Sequence, residues 1–218
     1  MQDEILNYFL ILKRYTFVMS KKTIPLLAEI RDCDFDKNAI SKEEEIKRTS
    51  VRAIILDDHG NMCLLDLTNI GLFKLPGGGV EEVETLEQAL HREILEEVGA
   101  TVELQNLDGS ESCFFGKTIE YRNDKKLKQT SYFAIAKVKS LSKHLNRTPK
   151  EIEKGQVPTW TSIKEAIQKL ESYKPDARNR EFIRLRELTA LKHAQKLLKK
   201  QTKPKPSNRS RPKQKRKL

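Results

Sequence analysis

Runs of apolar residues, separated by polar turns, divide the chain into segments with two different spacings. Short runs rich in Val, Ile and Leu predict strands at 49–56 and 62–67, and the turn residues 57–61 make them a hairpin. A short apolar piece at 72–75 leads into a glycine-rich loop. Residues 86–98 contain no helix breaker, Thr85 and Gln88 match a capping box, and Gly99 follows, so a helix is expected there. Later strands are expected at 100–104, 113–121 and 131–138, and later helices at 162–170 and 178–198. This order of elements predicts an α/β layered domain.

The length and composition favour one domain with appendages. The chain has 218 residues, of which 37% are hydrophobic and 33% are charged. A globular domain is typically about 45–50% apolar, so part of this chain is expected to lie outside the packed core. We divide the chain into an N-terminal extension and approach segment at 1–47, a domain with its C-terminal helices at 48–198, and a Lys/Arg-rich tail at 199–218.

The formal net charge of +11 is concentrated at the C-terminal end. Eleven of the 42 Lys and Arg residues, and no acidic residue, lie from Lys196 to Leu218, which leaves 31 basic against 31 acidic residues before them. The segment from Lys199 has no apolar residue before Leu218, so we expect it to be disordered. Its charge from Lys199 to Lys217 suits contact with nucleic acid or an anionic membrane surface. A solubilising tail explains it equally well.

The cysteines and the N-terminal segment indicate the cellular compartment in which the protein is expected. Cys33, Cys63 and Cys113 are an odd number, without a CxxC pair, which argues against a disulfide framework and a zinc site. Residues 5–19 are interrupted by Lys13 and Arg14 and lack a cleavage site, so they predict neither a signal peptide nor a membrane span. We therefore expect a cytoplasmic, reducing location.

The predicted helix at 86–98 carries a group of glutamates. At about 100° per residue, Glu93, Glu96 and Glu97 share one face, and the aliphatic residues share another. Like charges at these spacings repel one another. A hard divalent cation with oxygen ligands, such as Mg²⁺, would relieve the repulsion. The alternative is an ordinary solvated helix face, because glutamates are common on exposed helices.

The full spacing from Gly78 to Ala100 resembles the Nudix box, G-x5-E-x7-R-E-U-x-E-E-x-G-U, where U is a bulky aliphatic residue. Every fixed position matches, and the one departure is Ala100 in the last aliphatic position. The preceding residues 75–79, Leu-Pro-Gly-Gly-Gly, also resemble the loop that leads into this box. The chain is therefore similar to Nudix hydrolases over about 48–170. The resemblance implies an α/β/α sandwich around a mixed β-sheet, extended here by a C-terminal helix.

The resemblance also implies roles for individual residues. Glu93, Glu96 and Glu97 would bind Mg²⁺, or Mn²⁺ in its place, together with the backbone carbonyl of Gly78. Glu93 and Glu96 are both candidates for the general base. Arg92 would hold a carboxylate in place or contact a phosphate oxygen, and Glu84 is expected to orient the start of the helix. The implied reaction is hydrolysis of a diphosphate linkage, by in-line attack of water, in a nucleoside diphosphate joined to another group.

Substrate-binding residues are harder to assign because specificity in this family lies outside the box. Phe115 and Tyr121 are candidates for stacking on a base, although aromatic residues in strands usually belong to the core. Glu151 and Glu153 lie in a polar connection at 140–157, from which a further acidic ligand or base could come. Three functions therefore stay open: hydrolysis of a small nucleotide, removal of pyrophosphate or a cap from an RNA 5′ end with help from the tail, and noncatalytic nucleotide sensing. The complete box favours the first.

Overall fold

The computed structural model describes residues 23–39, 46–107, 112–142, 145 and 148–201. Within these ranges the chain forms eight strands, four α-helices and two 3-10 turns at Asp32–Asp34 and Asn123–Lys125. The strands and helices, in chain order, are β1 Leu26–Arg31, β2 Ile46–Leu56, β3 Met62–Leu67, β4 Leu72–Lys74, α1 Leu86–Val98, β5 Ala100–Gln105, β6 Phe114–Arg122, β7 Leu127–Leu141, α2 Pro149–Glu153, β8 Gln156–Thr161, α3 Ile163–Ser172 and α4 Arg178–Gln201.

The strands form one mixed sheet. Its order is β1-β6-β7-β2-β3-β4, with β5 added on β7 and β8 added on β3. Two pairs are parallel, β1 with β6 and β2 with β7, and the remaining pairs are antiparallel. Strand β2 pairs with β7 along its whole length, from Ile46 opposite Leu127 to Leu56 opposite Lys137. The central strand β2 is therefore held firmly at the middle of the fold.

Helices cover both faces of the sheet because β2 presents alternating apolar residues to the two sides. Val51, Ala53 and Ile55 pack in one cluster with Leu90 and Ile94 of α1. Full burial of an aliphatic side chain of this size contributes about 1.5–3 kcal/mol. On the other side, Ile54 joins a second cluster, which includes Ala166 and Leu170 of α3 and Leu191 of α4. The expected α/β/α sandwich around a mixed sheet is confirmed.

The ends of α1 follow the sequence pattern. Thr85 Oγ1 accepts a hydrogen bond from the Gln88 amide at 3.2 Å, and Gln88 Oε1 accepts one from the Thr85 amide at 2.9 Å. At the other end, Gly99 has a left-handed backbone with φ of 68°. Such caps are typically worth about 1 kcal/mol each, and together they fix where the glutamate-bearing helix starts and stops.

The structure differs from the predicted elements in three places. The segment treated as an N-terminal approach contributes β1, whose Ile30 is buried, and β2 begins at Ile46 rather than at residue 49. The connection expected at 140–157 contains α2 and the start of β8. Helix α4 continues to Gln201, into the segment assigned to the tail, and residues 202–218 lie outside the described residues. None of the helices formed by the described residues has the length and hydrophobicity needed to cross a membrane.

Candidate active site

The glycine loop between β4 and α1 lies against the edge of β2. The amides of Val51 and Ala53 donate to the carbonyls of Gly78 and Pro76, both at 3.0 Å, and the Val80 amide donates to the Thr49 carbonyl. Gly77 has φ of +128°, and a Cβ atom there would collide with the Val51 backbone carbonyl, so a side chain is excluded at this position. The loop is consequently fixed to the central sheet at the place where the box begins.

The carboxylate of Glu97 joins α1 to three other parts of the fold. Its side chain is buried and accepts hydrogen bonds from the Gly77 amide at 2.6 Å, from Lys74 Nζ at 2.7 Å and from Gln156 Nε2 at 3.1 Å. These donors belong to the glycine loop, β4 and β8. Glu97 therefore holds the C-terminal half of α1 against the sheet.

Arg92 organises the other carboxylates. Its Nε and Nη2 donate to the two oxygens of Glu84 at 2.6 and 2.9 Å, and its Nη1 donates to Glu93 at 2.9 Å and to Glu96 at 3.3 Å. Nη2 also donates to the Gly79 carbonyl at 3.1 Å. The hydrogen bond from Arg92 is the main reason that the pKa of Glu84 falls to about 2. Glu84, in the loop before α1, therefore fixes the guanidinium of Arg92. Arg92 in turn positions the carboxylates of Glu93 and Glu96.

Glu93 lies directly beside the glycine loop. A Cβ atom on Gly78 would overlap the Glu93 carboxylate, so the missing side chain leaves room for this group. Burial, and secondarily the negative charge of Glu97, raise the pKa of Glu93 despite its hydrogen bond with Arg92. The ionised form of Glu93 is therefore disfavoured at this position, and a bound cation would favour it.

The donor set suits a hard cation, although the carboxylates are engaged by protein groups. Glu93, Glu96 and Glu97 all lie on α1, but Arg92 binds the first two while Lys74 and Gln156 bind the third. Across the described part of the chain, no group of three or more His, Cys, Asp or Glu side chains is placed to hold a metal ion as it stands. The Gly78 carbonyl accepts one hydrogen bond and keeps a second lone pair. Carboxylate and carbonyl oxygens are the ligands that Mg²⁺ takes in proteins.

A strongly basic cleft is lined by two of the side chains that bind Glu97. Its volume is about 540 Å³, and Lys74 and Gln156, which both donate to Glu97, form part of its lining. Glu151 is the acidic residue among the described residues that line it. Against this single carboxylate stand eight cationic lining residues: Arg48, Arg52, Lys74, Arg122, Lys150, Lys154, Arg180 and Arg186.

The deep wall of the cleft is a buried network of charges that the sequence analysis missed. Arg186 Nη1 donates to Glu120 at 3.0 Å and Nη2 donates to Glu187 at 2.6 Å, while Arg122 Nε donates to Glu120 at 2.8 Å. Glu120, Arg186 and Glu187 belong to strand β6 and helix α4, which lie far apart in sequence. The one available signal was Arg52, a charged residue inside the apolar run of β2.

The structure separates the four residues proposed for substrate binding. Glu151 lines the cleft and its side chain also accepts the Thr148 amide at 2.7 Å, whereas Glu153 is not among the lining residues. Phe115 is buried in the second core cluster, stacked on His193 with ring centroids 5.8 Å apart. Tyr121 lies beside β1, under the guanidinium of Arg31, and borders a different, smaller cavity. The two aromatic residues therefore do not meet the box glutamates, and Glu151 does share a cleft with the partners of Glu97.

Comparisons with known proteins give one matching family model and several similar solved structures. A family model for the NUDIX domain matches residues 46–185. Similar solved structures include a NUDIX hydrolase from Nitrosomonas europaea, with 20% identity over 69% of this chain and 90% of that chain and a TM-score of 0.49. An ADP-ribose pyrophosphatase from Streptococcus suis has 18% identity over 67% and 91%, with a TM-score of 0.42. An Ap4A hydrolase from C. elegans has 18% identity over 56% of this chain and 86% of that chain, with a TM-score of 0.41.

No curated protein matches the chain. The family model covers more than half of the sequence and includes the whole box, the glycine loop and most of the sheet. It confirms the resemblance that the spacing from Gly78 to Ala100 indicated. The chain belongs to the NUDIX family and is accordingly a hydrolase of phosphoric anhydride bonds.

Proposed function

We propose that the protein is a Mg²⁺-dependent pyrophosphohydrolase that cleaves a diphosphate linkage in a small nucleotide, a nucleoside diphosphate joined to another group. The observation that carries the proposal is the continuity between the box and the basic cleft. Lys74 and Gln156 donate to Glu97 and also line the cleft, so phosphates bound there lie next to the two side chains that hold Glu97. Cationic walls favour a polyanionic ligand.

In this proposal the box residues divide the work. Mg²⁺ held by Glu93, Glu96, Glu97 and the Gly78 carbonyl would supply Lewis-acid polarisation of the phosphoryl oxygens. Arg92 keeps the carboxylates of Glu93 and Glu96 in place, since it donates to both. Glu84 in turn orients Arg92 through two hydrogen bonds.

The attacking water requires a general base. Glu93 and Glu96 are the two candidates, and they differ in environment. The Glu93 side chain is 13% exposed and the Glu96 side chain is 38% exposed. A base must lie within about 3 Å of the water whose proton it accepts, so substitution of each residue in turn decides between them.

The proposed setting is a reducing compartment such as the cytoplasm. The three cysteines are free in the structure, which supports this part of the proposal. The basic tail beyond Gln201 lies outside the described residues, and RNA enters the proposal as one member of the substrate panel.

The test is hydrolysis by the purified full chain with Mg²⁺, over nucleoside triphosphates, nucleotide sugars, dinucleoside polyphosphates and 5′-triphosphorylated RNA. Glu93→Gln and Glu96→Gln are assayed beside Glu87→Gln, a control on the same helix whose side chain contacts Cys113. We expect one class to be cleaved, the base variant to lose about 10²–10⁴-fold in kcat, and the control to stay near wild type. Full activity in both box variants, or nucleotide binding without any hydrolysis, contradicts the proposal.

A further inference from the structure

Arg52 is a buried cation without a hydrogen-bond partner for two of its nitrogens. The residue is 7% exposed, it lies in the wall of the basic cleft, and its Nε and Nη1 are buried with no partner among the described residues. A buried donor without an acceptor is destabilising, and buried charges are normally paired. The protein supplies no acceptor for these two nitrogens, so the site is suited to an anion from outside the protein.

The neighbouring carboxylates already serve other cations. Glu120 accepts from both Arg122 and Arg186, and Glu187 accepts twice from Arg186 through its Oε1. The buried network thus contains three guanidinium groups and two carboxylates, a surplus of one positive charge. Glu187 Oε2 is also buried without a partner, so an internal pair with Arg52 is the competing explanation that an experiment must exclude.

The rest of the cleft offers cations and no base-stacking surface. Lys150 lies on the short helix α2 and Lys154 directly follows it, both at the rim, and Arg48 extends the basic surface along β2. No aromatic side chain occurs among the described residues that line the cleft. The apolar lining consists of aliphatic residues: Leu67, Ile70, Leu72 and Ile183. The cationic side chains recognise charge, and the aliphatic side chains do not provide the flat face on which a nucleobase stacks.

We propose that the cleft selects its substrate by its chain of phosphate groups and not by the nucleobase, with Arg52 binding a phosphate beyond the one that is attacked. This inference rests on the proposed function for the position of the substrate. A guanidinium presents a planar fork of donors that matches phosphate oxygens and stays charged at neutral pH. A phosphate at this point satisfies the unpartnered nitrogens of Arg52 and neutralises the surplus charge of the wall.

The binding test uses inorganic tripolyphosphate as the probe, measured by calorimetry on the full chain without Mg²⁺. Wild type is compared with Arg52→Met, with Arg52→Lys, and with Arg184→Met as a matched control. Arg184 lies on α4, pairs with Glu181 and is not among the cleft-lining residues. We expect Arg52→Met to weaken binding by about 10–100-fold, Arg52→Lys to retain part of it, and the control to bind like wild type.

Equal binding by wild type and Arg52→Met overturns the inference. A fall in melting temperature for Arg52→Met with unchanged binding also overturns it, because this combination identifies an internal pair with Glu187. Binding that falls while the melting temperature holds or rises supports the inference, since the fold is then intact and only the anion is lost.

The kinetic test separates this inference from the proposed hydrolysis. We expect ATP, GTP, CTP and UTP to have kcat/KM values within about tenfold of one another, since loss of one specific polar contact is worth about that factor. Arg52→Met should raise KM for all four by a similar factor. A preference of several hundredfold for one base contradicts recognition by phosphate. Failure to hydrolyse any nucleotide, with tripolyphosphate binding through Arg52 intact, refutes the proposed function and leaves the anion site standing.

Discussion

Replacement of Arg52 by methionine is expected to stabilise the ligand-free protein. Burial first, and the positive charge of Arg186 second, lower the pKa of Arg52 to about 10, well below that of an exposed arginine. This difference corresponds to about 3 kcal/mol that opposes the charged side chain in the folded state. Methionine has a similar reach and no charge, so it removes the opposing term and keeps most of the packing.

The expected gain in the free energy of unfolding is about 1–3 kcal/mol, or about 2–10 °C in melting temperature for a chain of this length. The sign depends on pH in a defined way. A cation whose pKa is lowered on folding destabilises the protein fully below the folded value, about 10, and the effect disappears as the pH rises from there towards the pKa of an exposed arginine. Urea denaturation at pH 7.5 therefore measures the whole effect.

Arg186→Met is the contrasting variant on the same wall. Its removal leaves Glu120 and Glu187 buried without their shared cation, and loss of one partner of a buried pair costs about 3–5 kcal/mol. Replacement of Arg52 should therefore raise the free energy of unfolding, and replacement of Arg186 should lower it. A decrease in the unfolding free energy of Arg52→Met, with an unchanged urea m-value, would refute the reasoning, because it would show that Arg52 has a stabilising partner inside the protein.

Three further predictions concern the glycine loop, the ion pair outside α1 and the thiols. In Gly78→Ala the new methyl group meets the flexible end of Glu93, so hydrolysis should fall by about 100-fold while the melting temperature changes little. The hydrogen bond from Arg92 that lowers the pKa of Glu84 to about 2 contributes stability that is present above about pH 4.5 and is lost as the pH falls towards 2. Thermal melts from about pH 5 to pH 3 should therefore decline less steeply for Glu84→Gln than for wild type. Cys33 is exposed, whereas burial raises the pKa of the Cys63 and Cys113 thiols to about 12. A thiol reagent at pH 8 should therefore modify one cysteine fast, and three fast sites would contradict the structure.

Local sequence patterns were sufficient for most of the fold. The capping box at Thr85, the glycine at the end of α1 and the apolar run of β2 each report on neighbours within a few residues, and the structure confirms the elements they predict. Strand β1 was missed because its six residues have no clear alternation, and it exists through parallel pairing with β6, about 90 residues later. The short helix α2 and the start of β8 were hidden in the same way inside a polar segment.

Part of the candidate site could be predicted from local spacing, and part depends on contacts between distant segments. The glutamates of α1 could be proposed from spacing, because they lie within one helix. The cationic wall could not, since Arg122, Arg186 and their carboxylate partners come from β6 and α4 and meet only in the folded chain. Arg52 was visible as a charged residue in an apolar strand, but its lack of a partner is a property of the tertiary structure.

The central strand β2 serves two purposes on adjacent residues. The amides of Val51 and Ala53 hold the glycine loop, and the side chain of Arg52 between them faces the cleft. A change in this strand alters bond cleavage and ligand recognition together, so selection for a new substrate is constrained there. Residues on and beside α2 attach to the β3–β4 turn through Thr68 and Asn69, and these contacts do not involve the glycine loop. Descendants of this protein should therefore acquire new substrates at the rim while β2 stays the same.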